Sequence, residues 1–160
     1  MKIAVVSDTH SHAVTVQTAL RIVASHDVEL IVHCGDIEDA ETVPLFPRNT
    51  HFVFGNCDMD RAGIQAAVDA IGATLHQPFG NLELDGKAIA FLHGDDKRLL
   101  QDLERSGGFD FVFHGHTHQA REHRRGRTRV INPGALFRAR PKTFVILDLK
   151  SGDVESVSVD

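Results

Sequence analysis

Tryptophan and tyrosine are absent from this 160-residue chain, and cysteine occurs only twice. Cys34 and Cys57 are too few for a disulfide framework and suit a reducing compartment. No apolar run approaches the roughly 20 residues that a membrane span needs. Residues 1–7 pass straight into the strand-like MKIAVVS, with no basic start or small-residue cleavage site. A cytoplasmic location is therefore expected. Positive charge is in deficit, because 17 Lys and Arg face 22 Asp and Glu and leave a formal −5. That balance excludes a general attraction for nucleic acid or anionic membranes. If the chain binds phosphate, something other than a basic surface must neutralise it. Several motifs are also missing. No Gly-x-Gly-x-x-Gly follows the first strand, which disfavours a dinucleotide fold. Neither His-Glu-x-x-His nor Gly-x-Ser-x-Gly occurs, and the chain is too short for eight βα units of the usual size.

What is present is a core and a surplus of histidine. Hydrophobic residues make up 42% of the chain, enough to close one globular unit over 1–160, and histidine occurs 11 times. His26, His51, His76 and His123 are expected at the surface. The others gather beside Asp, Asn and Gly.

Lys2–Val6 reads as a buried strand. In Thr15–Ser25, Val16, Ala19, Leu20 and Val23 form the stripe of an amphipathic helix. Leu30–His33 and His51–Phe54 are further strands, with a short helix over Asp39–Leu45 between them, stopped by Pro44 and Pro47. Helices are expected over Arg61–Ile71 and Lys97–Arg105, and a strand over Phe109–Phe113. Three hairpins complete the pattern. Asn81–Leu84 and Lys87–Leu92 flank Asp85-Gly86, Arg121–Arg125 and Thr128–Ile131 flank Gly126, and Thr143–Leu149 and Val154–Val159 flank Ser151-Gly152-Asp153. The alternation of strand and helix, followed by hairpins, predicts an α/β fold of two sheets packed face to face with helices outside.

Five polar clusters each follow a predicted strand: Ser7-Asp8-Thr9-His10, Cys34-Gly35-Asp36, Gly55-Asn56-Cys57-Asp58, His93-Gly94 and His114-Gly115-His116-Thr117-His118. Loops at the carboxyl ends of strands share one rim, so the clusters should converge on one cleft. Asp8 and His10, two apart, can both face it if the backbone is extended, and His116 and His118 share that spacing. Each cluster alone has a plainer reading, as a strand end, a helix cap or a turn. It is their order and joint position that speak for metal. Carboxylates, an amide and imidazoles suit Mn²⁺, Fe, Zn²⁺, Ni²⁺ or Co²⁺, with Mn²⁺ foremost. Seven candidate ligands exceed the need of one ion.

The series Asp8-x-His10, Gly35-Asp36, Gly55-Asn56, His93 and Gly115-His116-x-His118 resembles the calcineurin-like metallophosphoesterases, and within them the short bacterial and archaeal phosphodiesterase branch. The resemblance runs from Met1 to the Asn132-Pro133-Gly134 turn. It implies a four-layer α/β/β/α sandwich and two divalent metal ions. Asp8, His10 and His118 would hold one ion, Asn56, His93 and His116 the other, and Asp36 would bridge both. It further implies hydrolysis of phosphodiesters or phosphomonoesters by a water shared between the ions. Asp36 and Asn56 would then count among the catalytic residues, with Cys57 and Asp58 beside them.

The family commonly carries Gly-Asn-His at the third motif, where this chain has Cys57, as the short branch also does. The general acid is thereby left open. His12 is the nearest spare histidine and could equally cap the first helix, and Asp58 would orient a ligand histidine. Arg61 could reach a phosphate or simply begin a helix, and Asn132-Pro133-Gly134 could buttress the cleft. The expected partner is a small phosphate ester, with nucleic acid only as a small nucleotide and homo-oligomerisation left open. The competing reading is a non-catalytic scaffold, as in the retromer subunit that resembles this branch. That subunit lacks a full set of metal histidines, whereas His10, His93, His116 and His118 are all present here. A scaffold should also expose an apolar patch.

Overall fold

The computed structural model describes residues 1–160. In β1 (Lys2–Val6), Ile3 and Val5 point one way, Ala4 and Val6 the other, and all four are fully buried. A strand covered on both faces belongs to an inner layer. β1 pairs in parallel with β2 (Leu30–His33), which continues to β3 (Thr50–Val53) and β4 (Thr74–His76). On its other side, β10 (Thr143–Asp148) and β11 (Val154–Ser158) add antiparallel strands, giving the order β11-β10-β1-β2-β3-β4. The second sheet runs β5 (Gly80–Leu84), β6 (Lys87–Phe91), β7 (Phe111–Phe113), β9 (Thr128–Asn132) and β8 (Arg121–Arg125), with β6, β7 and β9 parallel.

Three cores hold these layers. Ile3, Val5, Val32, Phe91, Phe113, Ile131 and Leu147 fill the space between the two sheets. On the outer face of the first sheet, Ala4, Val6, Ile31 and Phe144 pack with Val16, Ala19 and Val23 of α1 (Ala13–Ala24) and Ile64 and Val68 of α2 (Arg61–Ala70). On the outer face of the second, Ala90, Val112 and Val130 meet Leu103 of α3 (Lys97–Arg105). The result is an α/β/β/α sandwich of two mixed sheets, as the family resemblance implied and as the two-sheet pattern of strands and helices predicted.

Four local expectations need correction. β4 was not foreseen: its three residues carry a single apolar side chain, Leu75, and the strand lies at the sheet edge, so no alternation marks it. β7 starts at Phe111 and not at Phe109, because the Phe109 carbonyl accepts the Thr128 hydroxyl at 2.7 Å and Asp110 accepts the Ala88 amide at 2.8 Å. The turn over Ala40–Leu45 is a 3₁₀-helix that contains Pro44. The four histidines expected at the surface are each half-buried. His51 and His76 pair at 2.9 Å, His26 meets the Ile22 carbonyl at 2.7 Å, and His123 lies 3.6 Å from Glu104.

Candidate metal centre

The loops that leave β1, β2 and β3 meet those that leave β6 and β7 at the carboxyl end of both sheets. The first two are joined along their backbones. Asp8 donates its amide to Gly35 at 3.0 Å, His10 to Asp36 at 3.0 Å and Ser11 to Ile37 at 3.0 Å. The turns that present the side chains are left-handed rather than extended, which corrects the strand-alternation argument. Asp8, His10, Asp36, His116 and His118 have φ of 53°, 43°, 57°, 70° and 58°. Such conformations cost non-glycine residues of order 1–3 kcal/mol each and gather where function requires them. Close approach of the loops also explains two glycines. A methyl group on Gly55 would overlap the Asp36 carboxylate, and one on Gly115 would overlap the Ser7 hydroxyl and the Asp8 carboxylate.

Asp8, Asp36, His10 and His93 are each held on the outer side and turned inward on the other. Asp8 accepts the Ser7 hydroxyl at 2.6 Å and the His116 amide at 3.1 Å on Oδ2, while its buried Oδ1 has no hydrogen-bond partner. Asp36 accepts the Cys57 amide on Oδ1 at 2.8 Å. Its Oδ2 lies 3.5 Å from His10 Nε2 and 3.3 Å from His93 Nε2. His93 directs Nδ1 to the Cys34 carbonyl at 2.8 Å, which turns Nε2 inward. His10 directs Nδ1 to Glu38 at 3.0 Å, and its buried Nε2 is also unpartnered. Asn56 turns its oxygen to His93 and His116, at 2.9 and 3.1 Å. His118 Nε2 lies 3.2 Å from Asp8 Oδ1. All seven expected ligands are thus brought together.

The electrostatics follow from this crowding. Burial by itself would raise the Asp36 carboxyl, but the His93 ring and the Cys57 amide hold it down to about 2. Burial pulls His93 the other way, and Asp36 and Asp8 override it and lift the ring to about 9. Burial, with the Asp36 charge added, pushes the Cys57 thiol up to about 11. Oxygen and nitrogen donors in this number, with a buried carboxylate oxygen and an imidazole nitrogen left without partners, fit divalent metal ions. Asp8, His10 and His118 form one such group, within 4.8 Å of one another, and Asp8, Asp36 and His93 another.

Several neighbours play parts that spacing did not reveal. Asp58 does not touch a ligand histidine. It accepts the backbone amides of Gly55 at 2.7 Å, Asp36 at 3.1 Å and Glu38 at 2.6 Å, and so ties the second and third loops together. Cys57 Sγ forms a third group with His10 and Asp36, again within 4.8 Å. Glu38 orients His10, and the only sign of it in the sequence was a carboxylate two residues beyond Asp36. His33 is fully buried. It accepts the Gly35 amide at 3.1 Å and meets the Thr9 hydroxyl at 3.0 Å. Asn132 donates to the Gly115 carbonyl at 3.0 Å and to the Thr117 hydroxyl at 2.9 Å, which steadies the last loop. His12 stands at the N-cap of α1 with Nδ1 on Thr15 at 2.6 Å. Arg61 lies over the Phe54 ring at 4.8 Å, at the start of α2.

Comparison with known proteins agrees with the geometry. The sequence profile of the calcineurin-like phosphoesterase superfamily domain matches residues 1–152. Phosphodiesterase MJ0936 of Methanocaldococcus jannaschii is 30% identical over the full length of both chains. The solved structure of an archaeal phosphodiesterase superposes with a TM-score of 0.90 at 28% identity, covering 99% of each chain. Vps29 of Entamoeba histolytica, solved with zinc, shares the fold at a TM-score of 0.69 and 20% identity over 100% of both chains. The chain belongs to the calcineurin-like phosphoesterase superfamily, as a metal-dependent hydrolase of phosphate esters.

Proposed function

We propose that the chain is a phosphodiesterase, with phosphomonoesters as secondary substrates, and that its centre takes two divalent ions. Asp8, His10 and His118 would hold one ion and Asn56, His93 and His116 the other, with Asp36 shared. The carrying observation is Asp36 itself. Its Oδ1 is fixed by the Cys57 amide, and its Oδ2 lies between the imidazole nitrogens of His10 and His93, which belong to different ligand sets. Divalent ions in such a site supply Lewis acidity towards the phosphoryl group and make an attacking water more acidic at neutral pH. The carboxylate and amide oxygens favour Mn²⁺, while the imidazoles and the nearby Cys57 thiol keep Zn²⁺ in contention.

The protein residues do the holding and orienting. Glu38 and the Cys34 carbonyl fix which nitrogen His10 and His93 present. Asp58 sets the spacing of two loops. Asn56 presents its amide oxygen. No free imidazole stands where the third motif carries Cys57, so leaving groups that need little protonation are favoured, as in aryl diesters. Cys57 as nucleophile is disfavoured, because a water activated at the metal centre already fills that role. The enzyme reading is further supported by the surface. Val14 and Met59 are the large apolar side chains it exposes, far less than a scaffold face requires. The unpaired thiols of Cys34 and Cys57 accord with a cytoplasmic setting.

The test is a metal-reconstitution panel with an aryl phosphodiester, an aryl phosphomonoester and cyclic nucleotides, run on the native chain and on Asp36→Asn. Hydrolysis of the diester should require metal and fall by about a hundred- to a thousandfold in Asp36→Asn, a loss typical of removing one charge-stabilising group. Metal titration should lose one of two sites. Full activity in the variant would sink the shared-carboxylate centre. No hydrolysis with any metal would favour the scaffold.

A further inference from the structure

Beside the metal centre, on the His10 side, lies an open cleft of roughly 510 Å³ lined by His12, Phe137, Arg138, Arg140 and Lys142. The loop that builds it is anchored to the centre by the Leu136 amide, which donates to the Ser7 carbonyl at 3.3 Å. The Phe137 ring joins cleft to centre. Its centroid is 5.5 Å from the His10 ring and 5.5 Å from the His12 ring, and the Arg138 guanidinium lies over it at 5.1 Å. In a chain of net −5, this corner concentrates positive charge. Lys142 is engaged by Asp160 at 2.8 Å, and Arg140 adds to the positive charge that lowers the Asp160 carboxyl, but neither Arg138 nor Arg140 is within ion-pair distance of a carboxylate, unlike Arg125, Arg127 and Arg129.

Two guanidinium groups outside any direct ion pair are suited to an anion, because their planar donors match its oxygens in pairs. A terminal phosphate brings about −1.5 to −2 at neutral pH and would use both cations, whereas a carboxylate would leave one unmatched. The Phe137 ring gives the connecting group an apolar floor between the two anionic positions. We infer that this cleft receives a second phosphate group on the substrate. The scissile diester then sits at the metal centre while a terminal phosphate on the same molecule sits between Arg138 and Arg140. This deepens the phosphodiesterase reading and rests on it, because it defines the substrate class as a phosphodiester, such as an ester of a nucleotide's phosphate, that carries a further phosphate.

Two measurements test it. In the first, calorimetry compares the binding of a thymidine bisphosphate and a thymidine monophosphate to the metal-loaded protein. The bisphosphate should bind at least about tenfold tighter, the least expected from one charged hydrogen-bonded contact. That ratio should fall to about one in R138Q/R140Q, which keeps the side-chain stems over the cleft, and should shrink in the native chain as salt screens the contact. In the second, hydrolysis of a thymidine p-nitrophenyl phosphodiester is followed with and without a phosphate on its free sugar hydroxyl. The phosphorylated compound should show the higher kcat/KM, again by a ratio that R138Q/R140Q abolishes. Equal binding of the two nucleotides, or a preference indifferent to both salt and the double substitution, overturns the inference. A binding preference that depends on the two arginines, in a chain that hydrolyses neither diester, upholds the cleft and overturns the phosphodiesterase reading instead.

Discussion

A carboxylate with one oxygen fixed and the other free is the smallest unit of this site, and Asp8 and Asp36 both take that form. Their identity was legible in the sequence because Asp-x-His and Gly-Asp sit at strand ends in a recognisable order. The residues that aim them were not. Glu38, His33 and the amide-binding role of Asp58 depend on contacts between loops 20 or more residues apart, and local sequence carries no trace of those. His33 makes this measurable. Burial first, and the nearby His93 second, hold its pKa down to about 3, so it stays neutral in the folded chain. The unfolded chain, with an ordinary histidine near 6.5, binds more protons throughout the interval between those values. Stability must therefore fall as pH drops below about 6.5, by roughly 1.4 kcal/mol per unit for this one group. Urea denaturation of the metal-free protein at pH 7.5 and pH 5 should show the native chain losing about 2 kcal/mol more than His33→Gln. Equal losses would remove His33 from the account.

At the scale of elements, strands and helices were largely readable, because buried strands and amphipathic helices leave periodic patterns. The hairpins at Asp85-Gly86 and Gly126 fell where turn chemistry put them. What escaped was β4, too short and too polar to show a period, and the left-handed turns at Asp8, His10, His116 and His118. Side-chain spacing cannot distinguish such turns from extended backbone, so the residues that converge here adopt a local conformation other than the one their spacing suggested. The turns work only because neighbouring loops nearly touch. Gly55→Ala tests that directly. The added methyl meets the backbone and carboxylate of Asp36, so the loop must shift, at a cost of about 1–3 kcal/mol. Gly126→Ala meets nothing within 4 Å and should cost only its left-handed strain, about 1 kcal/mol. Thermal denaturation with metal titration should show Gly55→Ala weakening metal binding at least tenfold and Gly126→Ala leaving it intact. Comparable metal affinities in the two variants would mean that loop contact does not set the site.

For the whole molecule, the candidate ligands come from both sheets, so a metal bound between them in the folded chain would have no equivalent in the unfolded one. Such binding stabilises by about 2.7 kcal/mol at a hundred times the dissociation constant. For a chain of this size that corresponds to a rise in Tm of roughly 5–10 °C. Calorimetric scans with and without saturating Mn²⁺ should show the rise, and a chelator should reverse it. An unchanged Tm with every divalent metal would contradict the metal centre itself.

The seam between the sheets has one more consequence. Asp8, Asp36 and Asn56 ride on one sheet and His93, His116 and His118 on the other, so their separation is set by how thickly Val5, Val32, Phe91 and Phe113 pack between them. That inner layer works as a caliper for the chemistry at its rim. Trimming or enlarging a side chain there would open or close the jaws, and the preferred ion would change with the gap although no ligand had been touched.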